Sequence, residues 1–285
     1  MMKKLIAILL ALSMLMSASC AIVPQKVQQG GEQASGGVEE DSSAEKEAEK
    51  KKQEEEQKKK EEEERKQKEE EARQERINAI ESMLEDPYLV LVNRDHKLSS
   101  DFEPEDLVTF EGGCPIDRTC AAQLEKLIDA GEEAGYKYVL YSGYRTYTRQ
   151  YNIYYNKVNR YKNQGYSEEE AIRLANRYNA PPGASEHQTG LAADVCIPSI
   201  INKYGELHDA YGETEEFEWF SAHAHEYGFI MRYQKGKEDI TGYAYEPWHY
   251  RYVGVAVAKE IHQLGITYEE YVQKLQTELE TLKNA

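Results

Sequence analysis

The spacing of apolar residues changes period along the chain, and those changes mark its elements. Over residues 121–134 Leu124, Leu127 and Ile128 fall three and four apart, which predicts a helix with one buried side. A strand is predicted next, over 136–141. Ser167 followed by Glu170 is a capping box, and it opens another helix that carries Ile172, Leu174 and Ala175. Apolar runs over 191–197 and 229–233, and alternation over 248–252, predict three further strands. Two helices follow: one over 253–264, closed by Gly265, and one capped by Thr267 and Glu270 with Tyr271, Val272, Leu275, Leu279 and Leu282 on a stripe. Helices mixed with short, widely separated strands predict an α+β domain, and no internal repeat is visible.

None of this patterning reaches the first 76 residues. Residues 1–20 carry Lys3 and Lys4, an apolar stretch over 5–16 and then Ser17, Ala18 and Ser19, which is the layout of a secretory signal. The apolar stretch is shorter than the roughly 20 residues that span a bilayer, so export rather than a permanent membrane helix is expected. Cys20, directly after the three small residues, resembles the lipidated cysteine of a bacterial lipoprotein, with Ser17 where that motif usually has leucine. A lipid on Cys20 would attach the protein to the outer face of the cytoplasmic membrane.

Residues 21–43 are rich in Gly, Ser and Gln and read as a flexible linker. Residues 44–76 are almost entirely Glu, Lys, Arg and Gln, with opposite charges four apart at Glu47/Lys51, Glu54/Lys58, Glu55/Lys59, Glu56/Lys60, Glu61/Arg65, Glu62/Lys66 and Glu64/Lys68. A coiled coil needs an apolar seam and this stretch has none, so it predicts a solvated single helix. At about 1.5 Å per residue it would be a spacer roughly 50 Å long. The folded domain is expected over 77–285.

Charge narrows the partners. Of the 35 basic and 52 acidic residues, 15 and 18 lie in residues 1–76, which leaves residues 77–285 at about −14. An acidic domain has no electrostatic footprint for nucleic acid, and none is expected as a partner. In an exported protein Cys114 and Cys120 form a possible disulfide across a short loop, whereas Cys196 sits in an apolar run and reads as a buried thiol. No Cys-x-x-Cys spacing marks a cysteine metal site.

Catalytic zinc takes three protein ligands and keeps one position open. His187 and Asp194 flank a turn at Gly190, and Glu246 and His249 lie three apart on a segment stiffened by Pro247. Taken singly, each of these residues is more often structural than a ligand. Two rivals fall on geometry. Ser185 and His187 are too close in sequence for a nucleophile and base pair, and no Gly-x-Ser-x-Gly elbow is present. His223 and His225 lie in an aromatic stretch that predicts a helix, where residues two apart point in different directions.

Five ordered blocks give the set a context: Leu91-Val92-Asn93-Arg94; Ser142-Gly143-Tyr144-Arg145 with Gln150; Ser185 and His187 through Asp194; Gly228 through Tyr233; and Glu246 through Gly254. Over roughly residues 88–256 the chain resembles the VanY-type zinc D-alanyl-D-alanine carboxypeptidases, related in fold to the hedgehog signalling domain. The resemblance implies a single α+β peptidase domain, a small antiparallel sheet flanked by helices, with one zinc ion held by His187, Asp194 and His249. It implies Glu246 as general base and Arg145 as the cation facing substrate, with Gln150, Ser185 and Tyr233 lining the pocket. The expected partners are peptidoglycan stem peptides, met by a monomer at the cell wall, and the expected activity is removal of the terminal D-alanine. The same resemblance leaves open an L,D-carboxypeptidase acting on tetrapeptide stems, and a wall-binding module that keeps zinc only for structure.

Overall fold

The computed structural model describes residues 41–285. The signal over 1–20, Cys20 and residues 21–40 of the linker lie outside the described residues. The described chain divides into two units between Glu63 and Glu64. Helix α1, Asp41–Glu85, is continuous because nothing breaks it before Pro87. In the first unit its side chains from Glu45 onward are exposed, and Glu47 pairs with Lys51 at 3.0 Å, one of the four-residue pairs the sequence offers. In the second unit the same helix turns apolar at Ile77, and the polar-to-apolar switch there is a change of face rather than the end of a helix. Ile77 and Ile80 are buried, and Ile80, Met83 and Leu84 join a core.

The second unit continues with β1 (Leu107–Thr109), β2 (Pro115–Asp117), α2 (Arg118–Glu133), β3 (Val139–Ser142), α3 (Tyr147–Asn163) and α4 (Glu168–Ala175). Then come β4 (Ala192–Cys196), α5 (Pro198–Tyr204), α6 (Glu215–His223), β5 (Phe229–Tyr233), α7 (Glu238–Thr241), β6 (Glu246–Tyr252), α8 (Val255–Leu264) and α9 (Tyr268–Asn284). The caps explain several of these boundaries. Asp117 accepts hydrogen bonds from the amides of Thr119 and Cys120, so α2 starts at Arg118, three residues ahead of Ala121. Ser167 caps α4, Gly265 ends α8 in the left-handed region, and Thr267 with Glu270 forms the reciprocal capping box of α9.

The four longer strands form one antiparallel sheet in the order β3-β4-β6-β5, while β1 and β2 make a separate hairpin. Along β4 and β6 the side chains alternate. Ala193, Val195, Tyr250 and Tyr252 enter the main core with Leu124 and Leu127 of α2 and Phe220 of α6. Asp194 and His249 take the other face. A second core joins the end of α1 to α8 and α9 through Ile80, Val257, Ile261, Tyr268, Tyr271 and Leu275. Arg76 pairs with Glu278 at 2.6 Å at its rim. This is the α+β architecture expected.

Cys196 is the buried free thiol expected, whereas Cys114 and Cys120 depart from expectation in being free as well. Cys114 precedes β2, with its sulfur 3.8 Å and 3.7 Å from the carbonyls of Leu140 and Tyr141, whereas Cys120 lies inside the first turn of α2 beside the carbonyl of Leu191. The change of direction from strand to helix sends the two side chains to different neighbours, so no Cys114–Cys120 bridge forms.

Two substitutions separate the two parts of α1. Ile80→Ala should cost about 2–5 kcal/mol by opening a cavity in the second core, while Glu55→Ala on the exposed stretch should change stability by less than about 0.5 kcal/mol. Urea unfolding of both variants measures the contrast.

Candidate metal centre

Asp194 of β4 lies directly opposite His249 of β6, so the ladder itself puts a carboxylate and an imidazole side by side. His187 arrives from a short 3-10 turn, Glu186–Thr189, that ends at Gly190 with φ 74°. Only glycine takes that angle without strain, and a Cβ there would also stand 2.9 Å from Leu107. The turn thus delivers His187 to the site before the chain enters β4. One ligand atom from each of His187, Asp194 and His249 lies within 4.8 Å of the other two, and all three side chains are buried.

Residues three apart on a regular strand point to opposite faces. Pairing between β5 and β6 shifts between Met231 and Tyr233, and the irregularity allows Glu246 and Tyr233 to share the face of His249. Glu246 Oε2 is 4.0 Å from His249 Nδ1, and the Tyr233 ring centroid is 4.7 Å from that of His249. Arg145, just beyond β3, places Nη2 3.8 Å from Asp194 Oδ2 and donates from Nη1 to Gln150 Oε1 at 3.1 Å. Gln150 in turn donates to the carbonyl of Ala180 at 2.7 Å. The structure therefore gathers His187, Asp194, His249, Glu246, Arg145, Gln150 and Tyr233. Ser185 is buried at the start of the 3-10 turn, where its side chain makes no capping hydrogen bond.

The donor set fits a divalent cation. His187 Nδ1 lies 2.6 Å from the carbonyl of Gly143, which can only accept, so the proton sits on Nδ1 and Nε2 presents a lone pair. That Nε2 is 3.2 Å from Asp194 Oδ2, another acceptor, and is a buried atom without a hydrogen-bond partner. Two acceptors facing each other at this distance call for a positive charge between them. Gly143 is held to its size, since a Cβ there would stand 2.4 Å from the carbonyl oxygen of Pro115.

The charges around the site act in opposite directions. Burial, reinforced by Asp194, pushes the Glu246 carboxyl up to about 8, against the pull of His249 and Arg145. Burial and then Arg145 push His187 down to about 4. For His249 burial works to lower the pKa, but hydrogen bonds and charge from Asp194 and Glu186 outweigh it and raise it to about 9. Without a metal, then, His249 is an imidazolium at neutral pH, and its Nδ1 proton, 3.1 Å from Asp194 Oδ1, occupies the place a cation would take.

Glu186 received no role from the sequence. It is fully buried and touches His249 from the side opposite Asp194, and no periodicity or spacing in the chain could have singled it out. The two set-aside histidines stay structural. His223 stacks on Trp219 and His225 on His262, and neither belongs to a group of three metal-capable side chains among the described residues.

A buried His/Asp/His centre with a carboxylate and a guanidinium at its edge, on an antiparallel sheet of an α+β domain, defines a mononuclear metal-hydrolase class of site. The family model described as VanY, D-alanyl-D-alanine carboxypeptidase, matches residues 114–255, and the chain belongs to that family. A D-alanyl-D-alanine carboxypeptidase of Enterococcus faecalis is 39% identical over 184 residues, covering 65% of each chain. The crystal structure of a point mutant of the vancomycin resistance D,D-pentapeptidase VanY, in complex with Zn(II), is 37% identical with a TM-score of 0.58, covering 66% of this chain and 99% of that one. The LdcB LD-carboxypeptidase is 40% identical with a TM-score of 0.59, covering 67% and 88%.

The raised pKa values of Glu246 and His249 mean that the folded, metal-free chain holds protons that the unfolded chain releases. The stability they contribute is lost as pH rises, for His249 from its ordinary 6.5 to about 9 and for Glu246 from 4.5 to about 8. His187 opposes this trend only below 6.5. The melting temperature of chelated protein should therefore fall from pH 6.5 to 9, and loading with metal, which displaces the His249 proton, should remove that decline.

Proposed function

We propose that the chain is a zinc-dependent carboxypeptidase that removes the terminal D-alanine from peptidoglycan stem peptides ending in D-Ala-D-Ala. The observation that carries this reading is the convergence of His187, Asp194 and His249 with Glu246 and Arg145 at one buried point. The relatives support it: one family structure is VanY with Zn(II), and another is VanYB in complex with D-alanine-D-alanine.

His187 Nε2, an Asp194 oxygen and His249 Nδ1 would hold the ion. When bound, zinc supplies a Lewis acid for the scissile carbonyl. Glu246 takes the proton of the attacking water on its carboxylate and hands it to the departing amine, which requires the ionised form at the start of the cycle. The Arg145 charge favours that form, against the burial that raises the Glu246 pKa. Arg145 carries the fixed charge that binds the free carboxylate of the last residue, and Gln150 holds one of its nitrogens in place. Tyr233 and Ser185 line the pocket. The likeness to LdcB favours one second reading, release of D-alanine from tetrapeptide stems.

The chain's first 20 residues, Cys20, the linker over 21–43 and the charged helix over 44–76 support export, lipid attachment and display of a monomeric catalytic domain away from the membrane.

Synthetic penta- and tetrapeptide stems, read by mass spectrometry, test the activity. The full chain should release alanine from the pentapeptide, a chelator should stop release, and zinc should restore it; release that survives chelation would sink the metal mechanism, and release from the tetrapeptide alone would move the assignment to L,D specificity. Glu246→Gln should keep zinc and lose about 10²–10⁴ in kcat. Arg145→Ala should act mainly on KM, raising it roughly 10- to 100-fold.

A further inference from the structure

Glu186 has no exposed surface, and a carboxylate so buried without partners would give up its charge. Instead one of its oxygens, Oε1, accepts from Arg232 Nε at 2.9 Å and from Arg251 Nη1 at 3.0 Å. With two guanidinium donors on one oxygen, the Glu186 carboxylate is set as an acceptor. Its other oxygen, Oε2, is 3.2 Å from His249 Nε2, so the hydrogen between them belongs to the imidazole.

The two arginines are themselves pinned. Arg232 Nη1 donates to Glu269 at 2.7 Å and Nη2 donates to the same carboxylate, which lies in the first turn of α9 and also accepts from Asn93. Arg251 Nη2 donates to the carbonyls of Tyr88 and Val90, and its Nε to that of Tyr252. The Tyr268 ring lies 5.6 Å from both guanidinium carbons.

We propose that Glu186 is a positioning residue: clamped by Arg232 and Arg251, it holds the Nε2–H of His249 and thereby presents Nδ1 to the metal, with Glu269 steadying Arg232 from α9. The inference rests on the reading of His249 as a metal ligand. Two features separate this from a buried ion pair that merely fills space. Such a pair needs no particular third partner, yet the free oxygen of Glu186 meets the outer nitrogen of an imidazole whose inner nitrogen faces Asp194. Glu186 also precedes His187, so a single turn supplies one ligand and orients another. The arginines hold its carboxylate on the outer side of the ring, away from the three-ligand group, while Glu246 stands on the inner side. Carboxylates of this kind, behind a ligating histidine, fix its tautomer and commonly change metal affinity 10- to 100-fold when removed.

The test uses the full chain labelled with ¹⁵N-histidine. In zinc-loaded wild type, NMR should show His249 protonated at Nε2 and metal-bound at Nδ1. Competition with a chromophoric chelator should show zinc about tenfold or more weaker in Glu186→Gln, and weaker by a smaller factor in Glu269→Gln, with circular dichroism confirming that both are folded. The proposal fails if wild type carries its proton on Nδ1, if folded Glu186→Gln binds zinc within twofold of wild type, or if wild type binds no zinc. Should Glu186→Gln not fold, the wild-type proton position decides. Neither readout uses peptide turnover: weakened zinc in Glu186→Gln beside a wild type inert on stem peptides would refute the proposed activity and leave this inference standing.

Discussion

The alignment of Asp194 with His249 across β4 and β6 is the constraint on which the rest of the site depends. A one-residue slip in that ladder would turn Asp194 toward the main core and bring Ala193 or Val195 to the metal side. The apolar alternation of both strands prevents the slip, because Ala193, Val195, Tyr250 and Tyr252 must all remain buried among α2, α6 and their neighbours. Hydrophobic packing on one face of the sheet thus fixes the chemistry on the other. The break in pairing between β5 and β6 then adds Glu246 and Tyr233, which regular strands would have placed elsewhere.

The two glutamates beside His249 show how environment assigns work to one residue type. Glu186 lies between two guanidinium groups that outweigh its burial and favour its ionised form, whereas burial, with Asp194 adding to it, pushes Glu246 toward its neutral form. Close ion pairing on one glutamate and burial on the other therefore separate a charged acceptor from a group that can carry a proton. Arg145 belongs to the same balance: its charge favours the ionised Glu246 while lowering the affinity of His187 for a proton.

Much of the frame was legible in the residues. The strand over 229–233, the caps at Ser167 and Thr267, the stop at Gly265 and the gathering of His187, Asp194, His249 and Glu246 all follow signals with short-range causes or an ordered set of motifs. Helix α3 was not legible, because its buried side is only Gln150, Tyr154 and Val158 while Tyr151 and Tyr155 are exposed, so aromatic residues lie on both faces and blur the period. Strands β1 and β2 are three residues each, too short for alternation to register. Glu186 was hidden for a different reason. Its partners Arg232, Arg251 and His249 are 46 to 65 residues away, and only the folded sheet brings them together. The spacing of Cys114 and Cys120 suggested a bond that the entry into α2 turns apart.

That separation of thiols reaches beyond the local geometry. With Cys114 against the carbonyls of Leu140 and Tyr141, Cys120 beside that of Leu191 and Cys196 packed in the main core, the described residues hold no disulfide for folding to wait on. The domain is then held by packing, hydrogen bonds and ion pairs alone, and a reducing environment has no covalent cross-link in it to remove.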